Sequence, residues 1–318
     1  MALKLPPLDA RIPQWNLDDL IERACPICNV SNEETKFERP DHLKIRECTG
    51  CGTFFICPTP SGEQLREFYE GYDQNHRSAP PIKPERLAAL YESADPFSDL
   101  RIRELSSLMN IRGSRVLDIG YGRCHFLYCL KKLGAIPSGL ELDSDAIEFA
   151  KSLGIEVFQK DVTEFVSKKK FDVVALLDFV EHPLNPMDVL RKSSDLLLPG
   201  GLMVIWTPNG HYSSFDKDLT TFRVDLEHMQ YLTSDSCRFI GSELKLRVVH
   251  LETLGFPALE GIERPLSNEK TPAQLVRELI KATPGFSMLN QLRRDLFVRK
   301  PDERRGAYHL FCILQKPA

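Results

Sequence analysis

No apolar run in these 318 residues approaches the ~20 needed to cross a bilayer. The opening MALKLPPLDARIPQW is broken by prolines and has no continuous apolar core of the kind a signal peptide carries. An excess of positive charge is missing too, and a formal net charge of -4 gives no global attraction to nucleic acid or anionic membranes. Internal repeats and low-complexity tracts are also lacking. These absences point to a soluble, cytoplasmic protein with no membrane partner. An apolar fraction of 42% is enough to build a full core.

One absence is local. Val116 to Leu127 reads VLDIGYGRCHFL, where Gly120 and Gly122 follow an apolar run. The G-x-G-x-x-G fingerprint would need a third glycine at 125, and His125 stands there. Around this stretch the chain alternates. SRVLDIG, IPSGLELD, IEVFQKD, FDVVALLD and GLMVIWTPN read as strands, and CHFLYCLKKLG, DAIEFAKSLG and MDVLRKSSDLLLPG read as helices. TEFVSKKK reads as a turn or helix. Such alternation predicts βαβ units on a parallel sheet, and VVALL and LMVIW suit strands covered on both faces. After a polar loop come the helix TSDSCRFIGSEL and two further strands, 246–254 and 307–316. Two helical patterns lie between those strands and predict an insertion at about 255–305 on the substrate side.

The loop after the first strand is where a nucleotide is expected. Asp118 lies two residues before Gly120, where a carboxylate suits a cationic ligand group better than a pyrophosphate. Glu141 ends the next strand and can accept both ribose hydroxyls, and Asp161 closes the third, where adenine could be met. Ribose, adenine and a cationic amino-acid tail without phosphate describe S-adenosylmethionine. VLDIGYGRCHFL resembles the D-x-G-x-G-x-G motif of class I S-adenosylmethionine-dependent methyltransferases, with Cys124 in place of the last glycine. GLELD, FDVVALLDFVEHPLNP and LLLPGGLMVIWTPN resemble its later motifs, in order, over roughly 112–257. The resemblance implies a Rossmann-like sheet of seven strands, the last two an antiparallel pair. It implies cofactor contacts from Tyr72, Asp118, Gly120, Tyr121, Gly122, Glu141, Leu142, Asp161, Val162 and Asp178.

Nine cysteines are unevenly spread, five of them between Cys25 and Cys57. Cys25 and Cys28, then Cys48 and Cys51, form two C-x-x-C knuckles that can close a tetrahedral, structural Zn²⁺ site. Three units are expected: an independent zinc-ribbon-like module over 1–60, a helical linker and lid over 61–111, and the methyltransferase domain over 112–318.

Methyl transfer to a hydroxyl or activated C–H needs a base. Two Glu-His pairs offer one, Glu181-His182 after the fourth strand and Glu227-His228 after the fifth; either histidine would also serve as a turn residue bonded to backbone. A four-cysteine module, paired tyrosines, a methyltransferase core and a late Glu-His together resemble zinc-containing C-methyltransferases acting on nucleotide-linked deoxysugars. That resemblance implies His228 as base with Glu227 orienting it, while His182 and Tyr72 line the pocket. The chain lacks that family's further C-terminal domain. The expected partner is a small polar acceptor, sugar-derived or a secondary metabolite, methylated on oxygen or carbon. The competing reading is an RNA methyltransferase that holds RNA with its zinc module. Against it, residues 25–57 carry Arg39, Lys44 and Arg46 among several acids, with no aromatic-basic surface.

Overall fold

The computed structural model describes residues 3–4, 12–31, 34–70, 83–214, 219–254 and 307–318. Tyr72 and the expected insertion at about 255–305 lie outside the described residues.

The large sheet is built from β7 (Arg115–Ile119), β8 (Ile136–Glu141), β9 (Glu156–Gln159), β10 (Phe171–Leu177), β11 (Leu197–Pro208), β13 (Arg247–Leu254) and β14 (His309–Gln315). Its order is β13-β14-β11-β10-β7-β8-β9. Neighbours run parallel from β11 to β9, and β14 runs antiparallel to both β11 and β13. This is the expected Rossmann-like sheet of seven strands. β7 and β10 are apolar almost throughout because both faces are covered, as a parallel sheet requires. α4 (His125–Lys132) buries Phe126, Leu127, Cys129 and Leu130 on one stripe against it. Gly134 and Gly154, both at positive φ, close α4 and α5 (Ser144–Ser152) as C-terminal glycines do.

TEFVSKKK opens on a turn, the first of its two expected readings, and not a helix. Two local expectations differ. The helix MDVLRKSSDLLLPG stops at Leu196, because its last residues already pair as the start of β11. The third strand ends at Gln159, which leaves Asp161 in a turn where it accepts from the Thr163 amide at 2.7 Å.

A second sheet comprises β1 (Leu3–Lys4), β3 (Thr35–Glu38), β4 (Lys44–Glu47), β5 (Phe54–Ile56) and β12 (Gln230–Tyr231). Four of its strands come from the first 60 residues, and the fifth arrives from the far end of the chain, pairing Gln230 with Phe55 and Tyr231 with Phe54. The segment read as independent is therefore fused to the rest by a shared sheet. Its cysteines join the apolar cluster under the large sheet, beside Leu232, Cys237 and Ile240. Phe54 and Ile45 pack with Phe222, Met229 and Tyr231 in another. β2 (Leu20–Ile21) pairs with β6 (Thr59–Pro60), and in chain order α1 (Gly62–Glu70), α2 (Pro84–Ser93) and α3 (Leu100–Leu108) follow before β7.

Candidate functional site

The carboxyl ends of β7, β8 and β10 meet at one edge, where open α/β sheets hold ligands. Gly120 takes φ +69°, and any Cβ there would overlap the Phe179 ring, so both conformation and space demand glycine. Gly122 also has positive φ, but the space a Cβ would fill is open. Its amide donates to Glu141 Oε2 at 3.0 Å, so the loop and the acid that ends β8 are already joined. Cys124, at the position of the motif's last glycine, takes a left-handed φ of 52° at the N-terminus of α4 and is buried. Tyr121 packs its ring over Gly139, and its hydroxyl is buried without a partner.

Asp118 is buried, and among the described residues its Oδ1 has no hydrogen-bond partner. Burial pushes its carboxyl up to about 8; Arg101 opposes the shift, and Glu141 and Asp178 add to it. Asp178, in a left-handed backbone at the end of β10, lies deep among protein atoms although solvent reaches it, and this desolvation pushes its carboxyl up to about 6. An orphaned buried carboxyl behind an open glycine loop fits an ammonium group. Leu142 exposes its side chain beside Glu141, where an apolar ring could lie. Val162 is different: it sits in the core, so only its main chain can face a ligand. Arg101, stacked against Trp206 and paired with Asp99 at 2.7 Å, supplies the local positive charge.

A second group lies beyond β10. Ligand atoms of Glu181, His182 and His228 all fall within 4.8 Å of one another. His182 Nδ1 is 2.9 Å from Tyr69 Oη, and the two imidazole centroids are 4.9 Å apart. Glu181 Oε2 accepts from Thr207 Oγ1 at 2.9 Å, while its Oε1 is buried without a partner. Burial, then Asp178, raises the Glu181 carboxyl well above the usual range. Burial lowers both histidines, His228 strongly, with His182 and Arg39 adding to it, so His228 is held as a neutral imidazole. Among the described residues its Nδ1 is buried with no partner, so no bond from Glu227 orients the ring at that nitrogen; the charge of Glu227 acts on His182. Glu181 is legible beside His182 in the linear sequence, whereas Tyr69 joins the group from α1 without a signal in linear spacing.

The four knuckle thiols form the third group, with Cys25 and Cys51 sulfurs 3.6 Å apart and those of Cys28 and Cys48 3.2 Å apart. Tetrahedral zinc thiolates place sulfurs about 3.8 Å from one another, given Zn–S bonds of about 2.3 Å. A disulfide would need them at about 2.05 Å. Four soft donors at this spacing fit a zinc ion.

Over about half of its length the chain is similar to known methyltransferases. A family model described as "Methyltransferase domain" matches residues 92–251, just over half of the chain. The chain is 32% identical over 154 residues to a ubiquinone biosynthesis O-methyltransferase of Bradyrhizobium diazoefficiens, spanning 46% of this chain and 60% of that protein. Among solved structures, a SAM dependent methyltransferase from Archaeoglobus fulgidus is 22% identical with a TM-score of 0.47, covering 74% of this chain and all of that one. An amino pentose methyltransferase from Micromonospora echinaspora is 20% identical with a TM-score of 0.33, over 41% of this chain and 58% of the other.

Proposed function

Since the chain belongs to the methyltransferase domain family, we propose that it methylates a small polar acceptor from S-adenosylmethionine, with His228 as the base. The observation that carries this reading is the adjacency of two groups: the orphaned Asp118 carboxyl behind the glycine loop, and the Glu181–His182–His228 cluster beyond β10. When bound, S-adenosylmethionine supplies a sulfonium methyl group that leaves with the bond electrons retained on sulfur. Asp118 holds the cofactor's ammonium, and the Gly120–Gly122 loop lies against its amino-acid tail. Glu141 accepts from the ribose hydroxyls, with Leu142 beside the adenine and Asp161 and Val162 at its edge. Asp178 and Tyr121 border the tail, and Tyr72, outside the described residues, is assigned to the cofactor by the family resemblance alone.

The acceptor's proton moves to the neutral imidazole of His228 as the new bond forms. His182, fixed by Tyr69, lines the opposite wall, and Glu227 adds negative charge nearby. The acceptor atom is oxygen or carbon, and the name of the Bradyrhizobium relative favours oxygen. Cys25, Cys28, Cys48 and Cys51 hold a structural Zn²⁺, closed by four protein ligands and without a chemical role.

Incubation with S-adenosylmethionine and either catechol or a nucleotide-linked deoxysugar, read by mass spectrometry, tests the proposal. Acceptor-dependent S-adenosylhomocysteine is expected, and His228→Ala should lower turnover about a hundredfold or more while leaving cofactor affinity nearly unchanged. Turnover within a few-fold of the parent would remove His228 as base.

A further inference from the structure

Two arginines of the cysteine module end on the loops that carry His182 and His228. Arg39 follows β3 and is fully buried. Asp41 neutralises it, accepting from Nε at 3.1 Å and from Nη2, and is itself held by Trp15 Nε1 at 2.8 Å. The remaining guanidinium protons go to the backbone oxygen of His228 at 2.6 Å, to that of Leu226, and to Tyr231 Oη at 2.9 Å. Arg23, two residues before Cys25, donates Nη1 to Leu184 O at 3.0 Å and Nη2 to Met229 O at 2.6 Å, with Nε anchored on Ile56 O. One fork thus spans both loops, two residues past His182 and one past His228.

The loops need such donors. Between Arg223 and Gln230 the chain is neither helix nor strand, yet much of it is buried, so its carbonyls must be satisfied by other elements. Burying a guanidinium is costly even when it is paired. A segment needing only a filled core would be served by apolar side chains. What a five-donor planar fork adds is fixed direction. The hydrogen bonds of both arginines end on residues 226–231, on Leu184, on Asp41 and within the module, away from the Gly120–Gly122 loop and Glu141.

We propose that Arg39 and Arg23 are positioning residues through which the cysteine module places the His228 and His182 imidazoles for methyl transfer. The proposal rests on reading His228 as the base. It separates cofactor binding from placement of the base, since the cofactor seat stands on the large sheet and the base lies in the loop that leads into β12 of the small one. The Arg39 guanidinium also sits close enough to disfavour a proton on His228.

Full-length Arg39→Lys and Arg23→Lys keep the charge and lose the fork. Each is compared with the parent by thermal unfolding, calorimetry with S-adenosylhomocysteine, turnover of catechol, and ¹⁵N imidazole NMR assigned with His228→Gln and His182→Gln. The expected result is S-adenosylhomocysteine affinity within about twofold, shifted His228 imidazole signals, and kcat down about a hundredfold with KM little changed, the loss an ångström of misplacement brings. A folded variant whose His228 signals match the parent overturns the proposal, whatever its rate. Should Arg39→Lys fail to fold, Arg23→Lys, whose side chain is only partly buried, decides by the same spectra. If His228→Ala keeps its rate, the base reading falls, and the imidazole spectra still judge positioning alone.

Discussion

Under the proposed function, Asp118 is the residue on which cofactor recognition turns. With its carboxyl pushed up to about 8, it holds a proton at neutral pH in the cofactor-free protein. An ammonium binds the carboxylate, so binding must expel that proton. S-adenosylmethionine affinity should rise between roughly pH 6 and 8, and calorimetry in buffers of different ionisation heat should show proton release. Asp118→Asn should abolish the release and weaken binding; equal heats across buffers in the parent would contradict the shift. Gly120 is a sharper case, because an added Cβ meets both a left-handed φ and the Phe179 ring. Gly120→Ala should cost about 2 kcal/mol or more in urea unfolding. These residues were legible in the sequence because one strand-loop-strand sets them in linear order. Cys124 was legible as a departure, but its left-handed backbone was not, since only folded geometry assigns φ.

Among the elements, the knuckles were legible for the same reason: C-x-x-C spacing is local. What escaped was β12, two residues long and without periodicity, which completes the small sheet beside β5. Escaping with it were the place of Tyr69, on α1, and the adjacency of Glu181 to His228, which depends on packing between elements far apart in sequence. The Cys48–Cys51 knuckle stands directly before β5 and clusters with Cys25 and Cys28, so disruption of the group should be felt at β12. Cys25→Ser should release zinc, measured by plasma mass spectrometry, and slow methyl transfer more than it weakens S-adenosylhomocysteine binding. Metal-free protein with unchanged stability would rule out the zinc assignment.

The whole molecule carries one apolar cluster that runs from Cys25 and Cys48 through the large sheet to Leu310 and Cys312. Packing of that continuity predicts a single cooperative unfolding transition, coincident by circular dichroism and tryptophan fluorescence. Chelation should move that transition down as a unit. Two separated transitions would return the 1–60 segment to the independent module its sequence suggests. The seven-strand order was legible because alternating helices and strands admit few arrangements. The joining of the small sheet was not, since no composition shift marks residues 230–231 as its property.

That late strand has a consequence for how the chain is made. About 180 residues separate Cys51 from Tyr231, so at ordinary synthesis rates β5 waits roughly ten to thirty seconds for its partner. Through that interval the four thiols stand in an unfinished sheet on a growing nascent chain. With the proposed Zn²⁺ site, capture of the ion would precede synthesis of the His228 loop, and metal supply during translation is expected to set how much chain reaches the assembled state.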